Sequence, residues 1–404
     1  MSKSVVIVGA LDTKGAEFDF VKTLIEADGL KTLVVDFGVM GSPAFPPDVS
    51  RAEVAQAGGG NLEHLASGAH KDEAMQVMAD GLAVIVRQLY DAGRLDGIIG
   101  MGGSGGTSIA TAGMRTLPVG VPKVMVSTVG GGDVSAYAGA KDITFMPSIV
   151  DVAGINRISR AIYANAAGAI AGMVRLDHAA SQDERPLITA SMFGNTTKAV
   201  DHARGILETN GYEVLVFHAT GAGGRTMESL IADGYIVGSL DMTTTELADT
   251  VCGGVFDAGP ERCLAAARAG IPAVLVPGCV DMANFGSVES MPETYRSRTL
   301  YRWNPNVTLL RTNAEENARI GAMIAAAANA SRAPVAIVLP LKGVSMLDSP
   351  GGEFWDPAAD QACFDAIKQQ VKPGVPVIEL DYNINDAEFS AAVAETLLDL
   401  MKGA

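Results

Sequence analysis

The sequence predicts an α/β protein of two Rossmann-like, doubly wound domains, with mostly parallel sheets and an inter-domain cleft. Three observations carry this. Short β-branched runs alternate with longer amphipathic stretches along the chain, the pattern of parallel strands joined by crossover helices. At 404 residues the chain exceeds one ordinary core, which favours two domains. A polar stretch from Asp177 to Pro186 interrupts the alternation near its middle, dividing the chain into 1–180 and 181–404.

The first half opens with Ser4-Val-Val-Ile-Val-Gly9, a β-branched run. Strands are predicted over 5–8, 32–35, 97–99, 123–127 and 143–145, and helices over 17–27, 72–90, 108–114 and 154–174. After the polar stretch, strands are predicted over 187–192, 213–217, 235–239, 273–276, 307–310, 335–339 and 377–380. The halves begin alike. Ile7 to Lys14 leads through a helix and Asp28-Gly29 to Thr32-Leu-Val-Val-Asp36; Thr189 to Lys198 leads through a helix and Asn210-Gly211 to Glu213-Val-Leu-Val-Phe-His218. This is the pattern of a duplication, or of two βαβ units obeying the same rules.

At 48% hydrophobic and 19% charged residues, the chain is globular. A net charge of −16 excludes a broad nucleic-acid surface. Cys252, Cys263, Cys279 and Cys363 form no CxxC pair, so they read as reduced core thiols rather than zinc ligands. No signal peptide precedes the first strand, and no apolar run approaches roughly 18 residues. A cytoplasmic protein without a membrane span is expected.

Ligands of doubly wound sheets sit outside the carboxyl ends of the strands, so the loops there hold the candidates. Gly100-Met-Gly-Gly-Ser-Gly-Gly-Thr107 lies between a strand and a helix. Glycine permits positive φ and close backbone approach, and amides at a helix start attract anions. Gly102, Gly103, Ser104, Gly105, Gly106 and Thr107 therefore read as a phosphate cradle. Other readings stay open beside it, the plainest being a tight turn. Gly100, Gly102 and Gly105 match a dinucleotide fingerprint, but the next strand ends at Ser127 without a ribose-binding acid. Gly102, Ser104 and Gly106 match a nucleophile elbow, with His178, His202 or His218 as partner to Ser104.

Asp12, Thr13 and Lys14 stand where the first strand meets its helix. Thr13 can cap that helix and touch phosphate, and Lys14 supplies a point charge. Asp36, ending the next strand, is placed to bond a ribose. Each reads equally as an ordinary cap or surface group. In the loop from Ser127 to Asp133, and at Asp151, carboxylates are available to Mg²⁺ or to a hydroxyl. In the second half, His218 ends a strand before Gly221, Gly223 and Gly224, a candidate anion nest. Glu246, in Asp241-Met-Thr-Thr-Thr-Glu246, is available to a ligand. The segment from Asp281 to Gly286 and that from Leu341 to Asp348 complete the rim, with Lys342 for an anion and Ser345 and Asp348 for hydroxyls.

Asp12-Thr-Lys14, Gly102-Gly-Ser-Gly-Gly-Thr107, Met192-Phe-Gly194 with Thr196-Thr197, Phe217-His-Ala-Thr-Gly-Ala-Gly-Gly224, Asp241 to Glu246 and Lys342 to Asp348 together resemble one family. It comprises the bacterial and fungal relatives of the N-terminal ATP-binding domain of the tomato mosaic virus resistance protein. The resemblance covers nearly the whole chain. It implies a dimeric, two-subdomain α/β protein that binds ATP. The plant protein continues into a barrel-type domain similar to phosphoenolpyruvate-using enzymes, so a metabolic partner enzyme is also implied. Relatives carry histidines near Tyr301-Arg-Trp-Asn304, where this sequence has none.

The expected function follows. ATP-Mg²⁺ binds the first domain at Gly102–Thr107, Thr13 and Lys14, while a small anionic metabolite meets Thr196, Thr197, Gly221–Gly224 and Lys342. Phosphoryl transfer then rests on positioning, with His218, Asp348 or Asp133 as the catalytic group and Asp133 and Asp151 at the metal. The rivals are a nucleotide-binding regulatory module without chemistry and a serine hydrolase using Ser104.

Overall fold

The computed structural model describes residues 3–67, 71–176 and 184–403. It divides into two compact units, Met1–Ala180 and Ser181–Ala404. His178 and the polar stretch 177–183 lie outside the described residues.

The first unit runs β1 (Ser4–Gly9), α1 (Leu11–Ala27), β2 (Lys31–Asp36), α2 (Arg51–Ala57), α3 (Leu62–Leu65), α4 (Lys71–Asp91), β3 (Gly97–Gly102), α5 (Ser104–Met114), β4 (Lys123–Ser127), α6 (Ser135–Ala138), β5 (Thr144–Pro147) and α7 (Arg157–Arg175). Its strands pair in the order β2-β1-β3-β4-β5, all parallel. β1 is apolar throughout because both faces are covered. Val5 and Ile7 pack with α1 and α7, whereas Val6 and Val8 pack with α4 and α5. The order reverses between β1 and β3, which makes their carboxyl ends the topological switch point.

Two helices start earlier than the sequence suggested. α5 begins at Ser104, so Gly105–Gly106 lie in its first turn, and α1 opens with a short turn at Leu11 that is kinked at Lys14, whose backbone is non-helical (φ −133°, ψ 26°). Glycine's low helix propensity masks such a start.

The second unit runs β6 (Leu187–Met192), α8 (Thr197–Thr209), β7 (Glu213–His218), α9 (Ala222–Ala232), β8 (Ile236–Asp241), α10 (Thr245–Cys252), α11 (Ala265–Ala269), β9 (Ala273–Leu275), β10 (Met282–Phe285), β11 (Leu300–Asn304), β12 (Val307–Arg311), α12 (Ala314–Asn329), β13 (Val335–Pro340), α13 (Pro357–Gln370), β14 (Val377–Leu380) and α14 (Ala387–Lys402). Its main sheet has the order β14-β13-β9-β8-β6-β7, again all parallel. Read from β7, this repeats the strand order of the first unit and adds one strand. α8 and α14 cover one face, and α10, α12 and α13 the other.

Between β9 and β13 the chain inserts an antiparallel sheet of order β10-β12-β11. The run at 307–310 belongs to this insert, and the segment from Asp281 to Gly286 is largely strand rather than rim loop. All four residues of β10 are buried, so the sequence there carries no alternation to reveal it. The four cysteines are buried and free of disulfides. Among the described residues, no helix is long and apolar enough to cross a membrane.

Candidate functional site

The candidate cradle lies at the switch point of the first unit. Gly103 is the N-cap of α5 and provides no side-chain cap. The amides of Ser104, Gly105 and Gly106 find no acceptor among the described residues, and the first helical bond runs from Thr107 N to Gly103 O. α1, starting from the neighbouring strand, also lacks a side-chain cap at Ala10. By contrast, α2, α7 and α12 begin with complete capping boxes at Ser50, Asn156 and Asn313.

Positive φ does not explain these glycines: none of Gly100, Gly102, Gly103, Gly105 or Gly106 has it. Packing explains two of them. A Cβ at Gly102 would lie 3.1 Å from Gly106 Cα, and one at Gly100 would lie 3.0 Å from Ala110 Cβ. At Gly103, Gly105 and Gly106 the nearest atoms would be 3.7, 3.5 and 3.8 Å away, ordinary contact distances. Glycine is an ordinary N-cap residue at Gly103, but Gly105 and Gly106 lie inside α5, where glycine costs up to about 1 kcal/mol relative to alanine. What it supplies here is a bare approach to three uncommitted amides, which suits an anion.

The hydroxyls expected to help are committed elsewhere. Thr107 and Ser127 are buried, their Oγ atoms 2.7 Å apart, and they tie α5 to β4. Ser104 is exposed with an ordinary helical start, not the strained turn of a nucleophile elbow. No histidine bonds to it among the described residues; His202 instead pairs with Ser390 at 2.7 Å.

At the end of β1, Asp12 Oδ2 accepts from Met40 N and Gly41 N at 2.8 and 3.0 Å. Asp36 Oδ1 accepts from Leu11 N and Gly38 N at 3.0 and 2.9 Å. Asp36 is fully buried, with its Oδ2 left without a partner among the described residues, and burial pushes its carboxyl above the usual range. Lys14 Nζ donates to Val152 O, so its charge holds the segment that follows β5. Thr13 is exposed. Asp133 is exposed and caps Ser135 N at 2.9 Å, and this bond lowers its pKa. Asp151 is also exposed. Among the described residues no cluster of three or more His, Cys, Asp or Glu side chains could hold a metal ion. A cavity of about 380 Å³, walled in part by Phe37, Met75 and Ile109, opens beside the cradle.

In the second unit the glycine nest is already filled. Gly221 has φ 74°, and Ala222 N donates to Thr220 O at 2.9 Å, a tight γ-turn. Glu246 Oε1 accepts from Gly221 N at 2.7 Å and Gly224 N at 3.1 Å. A Cβ at Gly224 would meet Glu246 Oε2 at 2.3 Å. Gly221, Gly224 and Glu246 thus serve each other, while Gly223 is a glycine for packing, since a Cβ there would lie 1.8 Å from His218 O. Arg262, with a fully buried side chain, donates to Glu246 Oε2 at 2.5 Å, Asp241 Oδ2 at 2.7 Å and Glu228 Oε1 at 3.0 Å. Burial raises the Glu228 pKa against the opposing pull of Arg262.

The other expected substrate groups are likewise engaged. Ser345 and Asp348 are fully buried. Ser345 Oγ donates to Asp281 Oδ2 at 2.8 Å, and Asp348 Oδ2 accepts from Val344 N at 2.8 Å. Arg311 pairs with Asp360 at 2.7 Å and Asp348 at 3.5 Å. Burial and the Asp348 charge push the Asp281 and Asp360 carboxyls upward. Thr196 is buried against Thr243, their Oγ1 atoms 2.7 Å apart, and Thr197 Oγ1 donates to Phe193 O at 3.3 Å. Lys342 pairs with Asp381 at 2.9 Å on the surface. His218 is exposed at the end of β7, four strand intervals from β13, or about 19 Å at ~4.8 Å per interval. Asp348 itself lies in the loop after β13, where Met346 N donates to Asn195 O at 3.1 Å just beyond β6, and it is its full burial that withholds its carboxylate from a substrate. The sequence reading missed Arg262, Arg311 and Asp360, lone charges outside any motif, whose only signal was an apolar setting.

The chain matches the N-terminal domain of the uncharacterised protein family UPF0261 over residues 3–179 and its C-terminal domain over 185–401. It belongs to this family. A UPF0261 protein of Clostridium tetani is 50% identical over 403 residues, covering 100% of both chains. The ToMV resistance protein Tm-1(GCR237) of Solanum lycopersicum is 40% identical over 335 residues, which are 81% of this chain and 44% of that protein. The family expected from the motifs is thereby confirmed. UDP-N-acetylglucosamine 2-epimerase from Rickettsia bellii aligns with a TM-score of 0.25 at 10% identity, covering 100% of this chain and 96% of its own. At that score it adds nothing to the topology above.

Proposed function

We propose that this protein binds ATP through its first unit, with the phosphates on the amides of Ser104, Gly105 and Gly106. One observation carries this: an uncapped helix start at a topological switch point keeps glycines that neither conformation nor packing requires. The family resemblance supplies ATP as the particular ligand. Mg²⁺ enters with the nucleotide as the counter-ion of its phosphates. The corresponding glycine turn of the second unit has no part in this binding, since its amides are held by Glu246. Asp348 is fully buried and bonded to Val344 N while His218 is exposed, so we propose binding and no phosphoryl-transfer step.

Gly103→Val tests it. Gly103 has φ −76° and ψ −167°, extended backbone open to valine, and its Cβ position is clear of neighbours. Calorimetric titration of ATP, with and without Mg²⁺, should show binding by the wild type. The variant should bind about tenfold more weakly or worse and still unfold in one cooperative transition, with a melting temperature only a few degrees lower because valine is a poorer N-cap than glycine. Equal binding by both proteins would remove the cradle from the account.

A further inference from the structure

One guanidinium in the second unit stands among three carboxyls, and all four groups are buried. Arg311 ends β12, Asp281 precedes β10, Asp348 lies in the stretch 341–356 after β13, and Asp360 sits in the first turn of α13. Arg311 Nη2 is 2.7 Å from Asp360 Oδ1 and 3.5 Å from Asp348 Oδ1. Its other donors go to Phe354 O, Asp356 O and the carbonyl and hydroxyl oxygens of Thr312. Asp281 joins through Ser345, whose Oγ donates to Asp281 Oδ2 at 2.8 Å and accepts from Asp348 N at 3.0 Å.

The charges do not balance. Among the described residues bonded to these carboxyls, Arg311 is the one cation. Arg298, which donates to the Arg311 carbonyl at 2.7 Å, is paired with Glu316 of α12. Cys279, beside Asp281, and Cys363, on α13 beside Asp360, are buried thiols raised in pKa, first by burial. Asp356 caps Ala359 N, and Asp386 accepts from Asn383 N. Full ionisation would leave two uncompensated negative charges in the interior, which is costlier than keeping a proton. The Asp360 and Asp348 carboxyls hydrogen-bond each other, and two carboxyls do so only by sharing a proton. Asp281 Oδ1, also buried, has no partner among the described residues.

The same groups fasten 341–356, which contains no helix or strand. Asp348 Oδ2 accepts from Val344 N at 2.8 Å, and Arg311 holds the carbonyls of Phe354 and Asp356. Without the shared proton, Asp348 and Asp360 repel where the antiparallel insert, 341–356 and α13 meet. We propose that this cluster is a proton-dependent latch, which keeps 341–356 docked on the insert and α13 while it holds its proton and lets that stretch open as the proton leaves. A proton bound when closed and released on opening makes opening easier as pH rises.

Hydrogen exchange of the full chain, read by mass spectrometry and corrected for the pH dependence of the chemical rate, tests this. From about pH 5.5 to about pH 7.5, opening of 341–356 and β12 should rise about tenfold or more, ahead of β6 and α8 in the same unit. Asp281→Asn combined with Asp360→Asn leaves one carboxylate against one guanidinium. In that variant the rise should vanish and 341–356 should stay closed at the higher pH. Equal opening of the wild type at both pH values, or an undiminished rise in the folded double variant, would overturn the latch. Should the double variant not fold, infrared spectra of Asp360→Asn decide. The carbonyl band of protonated carboxyls at about pH 6 should be weaker than in the wild type, and an identical band would overturn the shared proton.

Discussion

Asp249 shows what burial does to one carboxyl in this chain. It lies in α10, where Asn284 N and Phe256 N donate to Oδ1 at 3.0 and 3.2 Å and Asn284 Nδ2 donates to Oδ2 at 2.7 Å. Burial outweighs these bonds and pushes its pKa to about 7. An acid whose pKa rises on folding holds its proton in the native state while the unfolded chain has released it. Its contribution is therefore complete below the unfolded carboxylate value, near 3.9, and is lost as pH climbs to about 7. Glu228 is raised as well and acts in the same direction. Urea unfolding should accordingly show stability falling between about pH 5 and 7, by up to about 1.4 kcal/mol per pH unit for each such proton. Asp249→Asn should reduce that slope by one proton's worth. Asn284 Oδ1 has no partner among the described residues, so a turned amide can accept from the new side chain. An unchanged slope would mean that Asp249 is ionised in the native protein.

Helix starts are the elements in which the units differ most. In the second unit α9 begins on the carboxylate of Glu246, which is also held by Arg262. In the first unit α5 begins on nothing from the described chain. The same glycine-rich composition thus yields one self-filled nest and one helix start whose first amides have no acceptor among the described residues. Glu246→Ala would leave Arg262 paired with Asp241 and Glu228 but strip two amides of their acceptor. Chemical denaturation should register a loss of about 2–4 kcal/mol; a loss near zero would show that the nest needs no occupant. The sequence could not reveal this difference. Both runs read as glycine before an apolar helix, and the residue that fills one of them lies outside it in the chain. Strands were more legible: β4, β6 and β14 fall at the expected residues, because β-branched runs between polar breaks have few alternatives. β10 was not legible, since it is buried on both faces.

At the scale of the molecule, the two parallel sheets share one strand order, with a sixth strand and an antiparallel insert added to the second. That agreement extends the similarity between the two beginnings, Ile7 to Asp36 and Thr189 to His218, into three dimensions. It also shows that the glycine runs are not equivalent: one follows β3, at the switch point, and the other follows β7, at the sheet edge. The candidate site was legible in the sequence only as a position, the glycine run between β3 and α5 at the carboxyl end of the sheet. Which loops were spent internally depended on buried partners such as Arg262 and Arg311, which no spacing discloses. The central claim, a phosphate cradle in the first unit and a self-filled nest in the second, is tested most directly by glycine-selective ¹⁵N labelling of the full chain. Spectra recorded while ATP-Mg²⁺ is added should move the amide signals of Gly105 and Gly106 and leave those of Gly221 and Gly224 in place. Movement confined to Gly221 and Gly224, or no movement at saturating ATP, would contradict it.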